Sequence, residues 1–154
     1  PPCTYLSVSG NRWLYNKNGS RNKERWENRS KALAFVNLLM NAPIKHIVIE
    51  NPISVISSQI RKPDQIIQPF MFGDKASKST CLWLKNLDKI VPTNIVEKGE
   101  FFEWVDKKQA QWYMDTLSKA KSNEERRTLR SKTFLGMAKA IANQLTNQLT
   151  NNKL

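Results

Sequence analysis

The stretch His46-Ile47-Val48-Ile49-Glu50-Asn51-Pro52 decides the reading of the fold. Three β-branched apolar residues in succession, closed by Asn-Pro, have the character of a strand buried on both faces, as strands of parallel sheets are. Ahead of it, Ala32, Phe35, Val36, Leu39 and Met40 recur at spacings of three and four. That pattern predicts a helix over Glu24 to Asn41 with one apolar face, stopped by Pro43. Strand, helix, strand in this rhythm predicts a parallel βαβ unit and an α/β fold, with Ile47 to Ile49 as a central strand flanked by helices.

Working outward, Ser54 to Ile60 reads as a short helix closed by Lys62-Pro63. Gln65 to Phe70 and Thr80 to Lys85 read as further strands. Glu100 to Leu117 stays ambiguous, since Phe101, Phe102, Trp104 and Val105 suit a strand whereas Ala110 to Leu117 suits a helix. The last helix is predicted at Thr133 to Leu149, with Phe134, Ala138, Ile141, Leu145 and Leu149 on one stripe and Ser131 as N-cap. Asn143-Gln-Leu-Thr repeats at Asn147, so residues 143–154 read as a low-complexity helical tail.

Composition narrows the chemistry. A chain of 154 residues, 40% hydrophobic and 25% charged, is expected to be one soluble domain, and its short apolar runs offer no membrane span. Two cysteines, Cys3 and Cys81, and one histidine, His46, cannot supply a disulfide framework, and no metal site is expected. A histidine-based triad is nearly excluded, which leaves cysteine, carboxylates and lysine. The net charge of +12 favours a polyanion partner. Basic residues concentrate between Asn11 and Lys31, and again at Arg126, Arg127, Arg130 and Lys132.

Cys3 lies in a Pro-Pro-Cys turn, and Glu50 ends the buried strand. Were a strand to precede Pro1, the two residues would share the carboxyl end of neighbouring parallel strands, where open α/β sheets place their sites. Strand spacing would then separate them by about 5 Å plus side-chain reach. A thiol beside a carboxylic acid suits attack on a heterocycle with simultaneous protonation. Taken singly, Cys3 better suits a small buried hydrophobe, and Glu50 a strand-end charge.

Pro2-Cys3-Thr4-Tyr5-Leu6-Ser7 resembles the catalytic-loop motif of the DNA (cytosine-5) methyltransferases. Ile49-Glu50-Asn51-Pro52 resembles the glutamate-asparagine motif of that family. Phe72-Gly73, followed by Lys78 ahead of Cys81-Leu82-Trp83-Leu84, is similar to its later basic motif, and Ser131 to Leu145 to its closing helix. The resemblance is to short, phage-type members and covers nearly the whole chain. Thr4 stands where the family has glutamine, and Pro52 where it has valine.

What the resemblance implies is specific. Cys3 would attack C6 of a flipped cytosine, Glu50 would engage N3, and C5 would take a methyl group from S-adenosylmethionine. Pro2, Ser7, Arg12, Trp13, Arg21, Arg25, Asn51 and Lys78 would contact DNA, and Pro2, Ser131 and Thr133 the cofactor. The segment Asn11 to Arg25 would close over the DNA, although a solvated basic loop fits it equally well. The fold implied is a Rossmann-like methyltransferase domain lacking its first strands, because no Gly-rich strand-loop-helix stands ahead of Cys3. Weak or absent binding of S-adenosylmethionine is therefore expected, together with a homodimer through an exposed strand edge. The implied setting is the cytoplasm of a bacterial or phage-infected cell. The alternatives are a non-catalytic basic nucleic-acid-binding domain and a pyrimidine-nucleotide C5-transferase of thymidylate synthase type.

Overall fold

The structure, a computed structural model, describes residues 1–105 and 107–151. The chain divides into two compact units, one of residues 1–67 and 79–89, the other of residues 68–78 and 90–154.

The first unit opens with an irregular segment and a 3-10 turn, Val8–Leu14, then helix α1, Lys23–Met40. Asn22 caps α1 by accepting the Arg25 N–H, and Asn41 closes it by bonding back to Asn37. Strand β1, Ile47–Pro52, follows, then the short helix α2, Ile56–Gln59, and strands β2, Gln65–Ile67, and β3, Thr80–Lys85. The sheet has the order β1-β3-β2, and both of its pairings are antiparallel.

This corrects the expected α/β fold, because the described residues form no parallel sheet and no Rossmann-like arrangement. The strand over Ile47 to Ile49 does exist, but it lies at a sheet edge instead of the centre. The apolar run misled because its residues alternate: Ile49 is buried, whereas Val48 is 38% exposed and Glu50 is open. Such alternation belongs to a half-buried antiparallel strand, in which the face turned from the core tolerates Val as readily as a polar residue. The partner is β3, with Ile49 opposite Trp83 and Asn51 opposite Cys81.

Helix α1 covers that inner face. Leu6, Val36, Ile49, Ile56, Cys81 and Trp83 make the core, with Ala32, Leu33, Leu39 and Met40 packed against it. Phe35, expected on the apolar face, is 44% exposed; Leu33 takes its place, and the buried stripe runs Arg29, Ala32, Leu33, Val36. Trp83 is fixed in rotation by its Nε1, which donates to the Arg61 carbonyl at 2.9 Å. The strand expected over Gln65 to Phe70 stops at Ile67, because Pro69 cannot donate to a ladder and begins a 3-10 turn instead.

In the second unit, the ambiguous segment is strand and helix in turn. Strands β4, Phe101–Trp104, and β5, Lys107–Ala110, form an antiparallel hairpin, which leads directly into helix α3, Gln111–Lys119. Helix α4, Asn123–Ser131, is capped by Ser122, and helix α5 runs from Leu135 to Asn151. Ser131 is thus the last residue of α4, not the N-cap of α5. Of the expected tail over 143–154, the part up to Asn151 is helical; residues 152–154 lie outside the described residues. Gly136 sits where α5 meets the 3-10 turn Pro69–Met71: its N–H donates to Asp74 Oδ2 at 2.9 Å. No helix among the described residues is long and apolar enough to cross a membrane.

Candidate nucleic-acid interface and thiol site

Cys3 sits on a turn whose geometry is set by its own carbonyl, which accepts the N–H groups of Leu6 at 3.1 Å and Ser7 at 2.9 Å. Leu6 is fully buried in the core and anchors the segment. On either side of Leu6 the backbone is sewn to the carboxyl end of β1: Val55 N–H donates to the Leu6 carbonyl and Val8 N–H to the Ile53 carbonyl. Asn51, at 1% exposure, completes the clamp by donating from Nδ2 to the Pro1 carbonyl at 3.0 Å. The Cys3 side chain stays exposed and reduced.

Helix α1 holds the same loop from the other side. Arg25 and Arg29, one turn apart, face it together. Arg25 Nη2 donates to the Thr4 carbonyl at 3.2 Å, Arg29 Nε to the Tyr5 carbonyl at 2.9 Å, and Arg29 Nη2 to Asn11 Oδ1 at 2.7 Å. Arg29 is buried, and burial, reinforced by the charge of Arg25, lowers its pKa. Arg12, Arg21, Arg25 and Arg29 form no ion pair among the described residues. Their partners are instead backbone carbonyls and rings: Arg12 over Trp13 at 4.5 Å, Arg21 over Trp26 at 5.0 Å, Arg25 over Tyr5 at 5.2 Å. Trp13 and Tyr15 are about half exposed, with Tyr15 edge-on to Trp26. Unneutralised guanidinium groups interleaved with open aromatic faces offer phosphate contacts beside stacking surfaces.

Glu50 is exposed on β1, next to Asn51 in sequence. With Pro1, Leu39, Ala42, Ile44 and Ile47 it lines a groove of about 290 Å³ along the open edge of the strand. Burial pushes the Cys81 thiol up, and the Glu50 charge pushes it the same way, so Cys81 is held as an inert thiol. The Asn51 bond ties the start of the chain to the end of β1 on the buried face of that strand, whereas Glu50 lies on the opposite, exposed face; Arg12, Trp13, Arg21 and Arg25 stand on the segment that follows Cys3. The neighbouring parallel strand on which the expected juxtaposition of Cys3 and Glu50 rested is absent among the described residues.

The remaining expected site residues have other surroundings. Pro2 is exposed beside Cys3, and Ser7 Oγ shares a 2.8 Å hydrogen bond with Ser9 Oγ. Asn51 is turned inward as a clamp. Lys78 belongs to the second unit, where its ammonium donates to the carbonyls of Arg130 and Lys132 and lies over Trp112. There it caps the end of α4. Ser131 Oγ turns back onto the Thr128 carbonyl of its own helix, and Thr133 is exposed between α4 and α5. Pro2 belongs to the first unit, Ser131 and Thr133 to the second. Arg29, Tyr5 and Trp26 were missed as parts of the site. A charged residue on the apolar stripe of α1 was the available signal for Arg29.

Comparison with protein-family models, curated proteins and solved structures finds no match.

Proposed function

We propose that this chain binds nucleic acid through the Arg–aromatic surface of its first unit and presents Cys3 and Glu50 to a cytosine displaced from its stack, as the DNA (cytosine-5) methyltransferases do. The observation that supports the reading is the groove along β1, which Pro1, two residues ahead of Cys3, lines together with Glu50. The chemistry follows from these two groups. The Cys3 thiolate adds to C6, the displaced electron pair moves to C5, and Glu50 steadies the ring at N3. Reversal expels the thiolate and restores the aromatic pyrimidine. Arg25 and Arg12 take the flanking phosphates while Trp13 stacks on a base. Addition and its reversal are the steps assigned to this surface.

The arginines stacked on rings beside exposed Trp13 and Tyr15 also support a second reading, a basic nucleic-acid-binding protein that makes no covalent bond. One experiment divides the two. DNA containing 5-azacytosine, whose C6 is a strong electrophile, is incubated with the protein and resolved under denaturing conditions. A Cys3-dependent adduct supports the first reading; binding without an adduct supports the second.

A further inference from the structure

The β4–β5 hairpin has two unlike faces. On one, Phe101, Glu103, Lys108 and Ala110 are tied together: Lys108 pairs with Glu103 at 2.6 Å and lies 4.8 Å over the Phe101 ring, and Ala110 is buried. The strand register puts Phe102, Trp104, Lys107 and Gln109 on the other, with Trp104 opposite Lys107 and Phe102 opposite Gln109. There two large aromatic side chains stand side by side, 4.7 Å between ring centroids, yet remain 42% and 48% exposed. Their planes meet at 66° in an edge-to-face pair, and both rings keep exposed surface.

Hairpin stability does not require this arrangement. The ladder and the ion pair on the opposite face hold the strands, and a polar pair would serve equally well on the open one. Two half-exposed aromatics on adjacent pleats are a costly surface unless something flat covers them. Charge selects the occupant. Glu103 is paired with Lys108, so the open face keeps Lys107, which has no ion-pair partner among the described residues, on a chain of net charge +12.

We propose that Phe102 and Trp104 form a stacking platform for the bases of single-stranded nucleic acid, with Lys107 on the adjoining phosphate. Aromatic pairs on a β surface take successive bases without sequence readout, because every base has a π face. The site lies in the second unit, is independent of Cys3, and stands or falls separately from the covalent chemistry.

The test is binding of fluorescein-labelled oligothymidylate by the whole chain, followed by fluorescence anisotropy. Trp104→Leu should weaken binding about 10-fold, whereas Trp104→Phe, which keeps a ring, should retain most of the affinity. Lys107→Gln should lower the slope of affinity against salt by about 0.7. A strand of the same length made of abasic sites should bind wild type and Trp104→Leu alike. Unchanged affinity of Trp104→Leu for oligothymidylate would overturn the proposal, as would an equal loss on the abasic strand. Binding of wild type, but not of Trp104→Leu, to neutral phosphatidylcholine vesicles without any difference on oligothymidylate would assign the face to lipid and also overturn it.

Discussion

The Asn51 side chain donates to the Pro1 carbonyl at 3.0 Å, joining residues fifty positions apart, and in doing so fixes the Cys3 loop to the end of the strand that carries Glu50. The Asn51 side of the bond is buried, and the bond is directional: the amide nitrogen donates its hydrogen and the carbonyl accepts it. Asn51→Ala should therefore cost about 1–2 kcal/mol of stability. Asn51→Asp should cost more, since a carboxylate cannot donate and would face the carbonyl as a buried charge. Urea denaturation of the two variants checks the order; Asp milder than Ala would contradict it.

Arg29 is the second clamp. Its guanidinium is buried, bonds to Tyr5 and Asn11, and has no carboxylate partner among the described residues. Arg29→Met removes both bonds and leaves the part-buried Tyr5 carbonyl without its partner, so a loss of about 2–3 kcal/mol is expected. Thermal unfolding measures it. Because an anion relieves a cluster of unneutralised arginines, pyrophosphate should raise the melting temperature of the wild type more than that of Arg25→Met.

Much of the local structure was legible in the sequence. The helix over α1 and the strands over β1 and β3 were read within a residue or two, because periodicity and Pro punctuation report local geometry directly. Sheet topology was not legible, since Ile47-Val48-Ile49 has the same composition in a fully buried strand and in an edge strand with Val48 half open. Pairing direction is a property of the partner strand, which the local pattern does not contain. The expected pairing of Cys3 with Glu50 rested on a neighbouring parallel strand, which the antiparallel sheet of the described residues does not provide. Arg29 escaped notice because a charge on an apolar stripe reads as an interruption until its acceptors are known to be backbone carbonyls.

Gly136 tests the packing of the second unit. A Cβ there would run into the Phe72 carbonyl, which is backbone and cannot swing aside. Gly136→Ala should destabilise by about 1–3 kcal/mol and lose the bond to Asp74. Hydrogen exchange at the first turn of α5 should rise in the variant; unaltered protection there would refute this packing.

Acid stability should depend on Asp64. Partial burial, the largest single influence, raises its pKa. The hydrogen bond from Arg61, the Leu84 N–H and the Arg61 charge outweigh it and hold the carboxyl below the ordinary range. A group whose folded pKa is depressed stabilises the fold above its unfolded value, near about 4, and that contribution is lost as pH falls through the folded value. Asp64→Asn should accordingly flatten the fall in denaturation midpoint below about pH 4, and an unchanged acid limb would contradict the assignment.

The most direct test of the account is the identity of the residue that reacts with an electrophilic cytosine. Whole protein incubated with 5-azacytosine DNA and examined by intact mass should gain one oligonucleotide, with the adduct mapped to the peptide containing Cys3. Cys3→Ser should abolish the adduct while keeping DNA binding, Glu50→Gln should slow its formation, and Cys81→Ser should leave it unchanged. An adduct that persists in Cys3→Ser, or DNA binding by the wild type with no adduct at all, would contradict the claim that Cys3 and Glu50 form one reactive site.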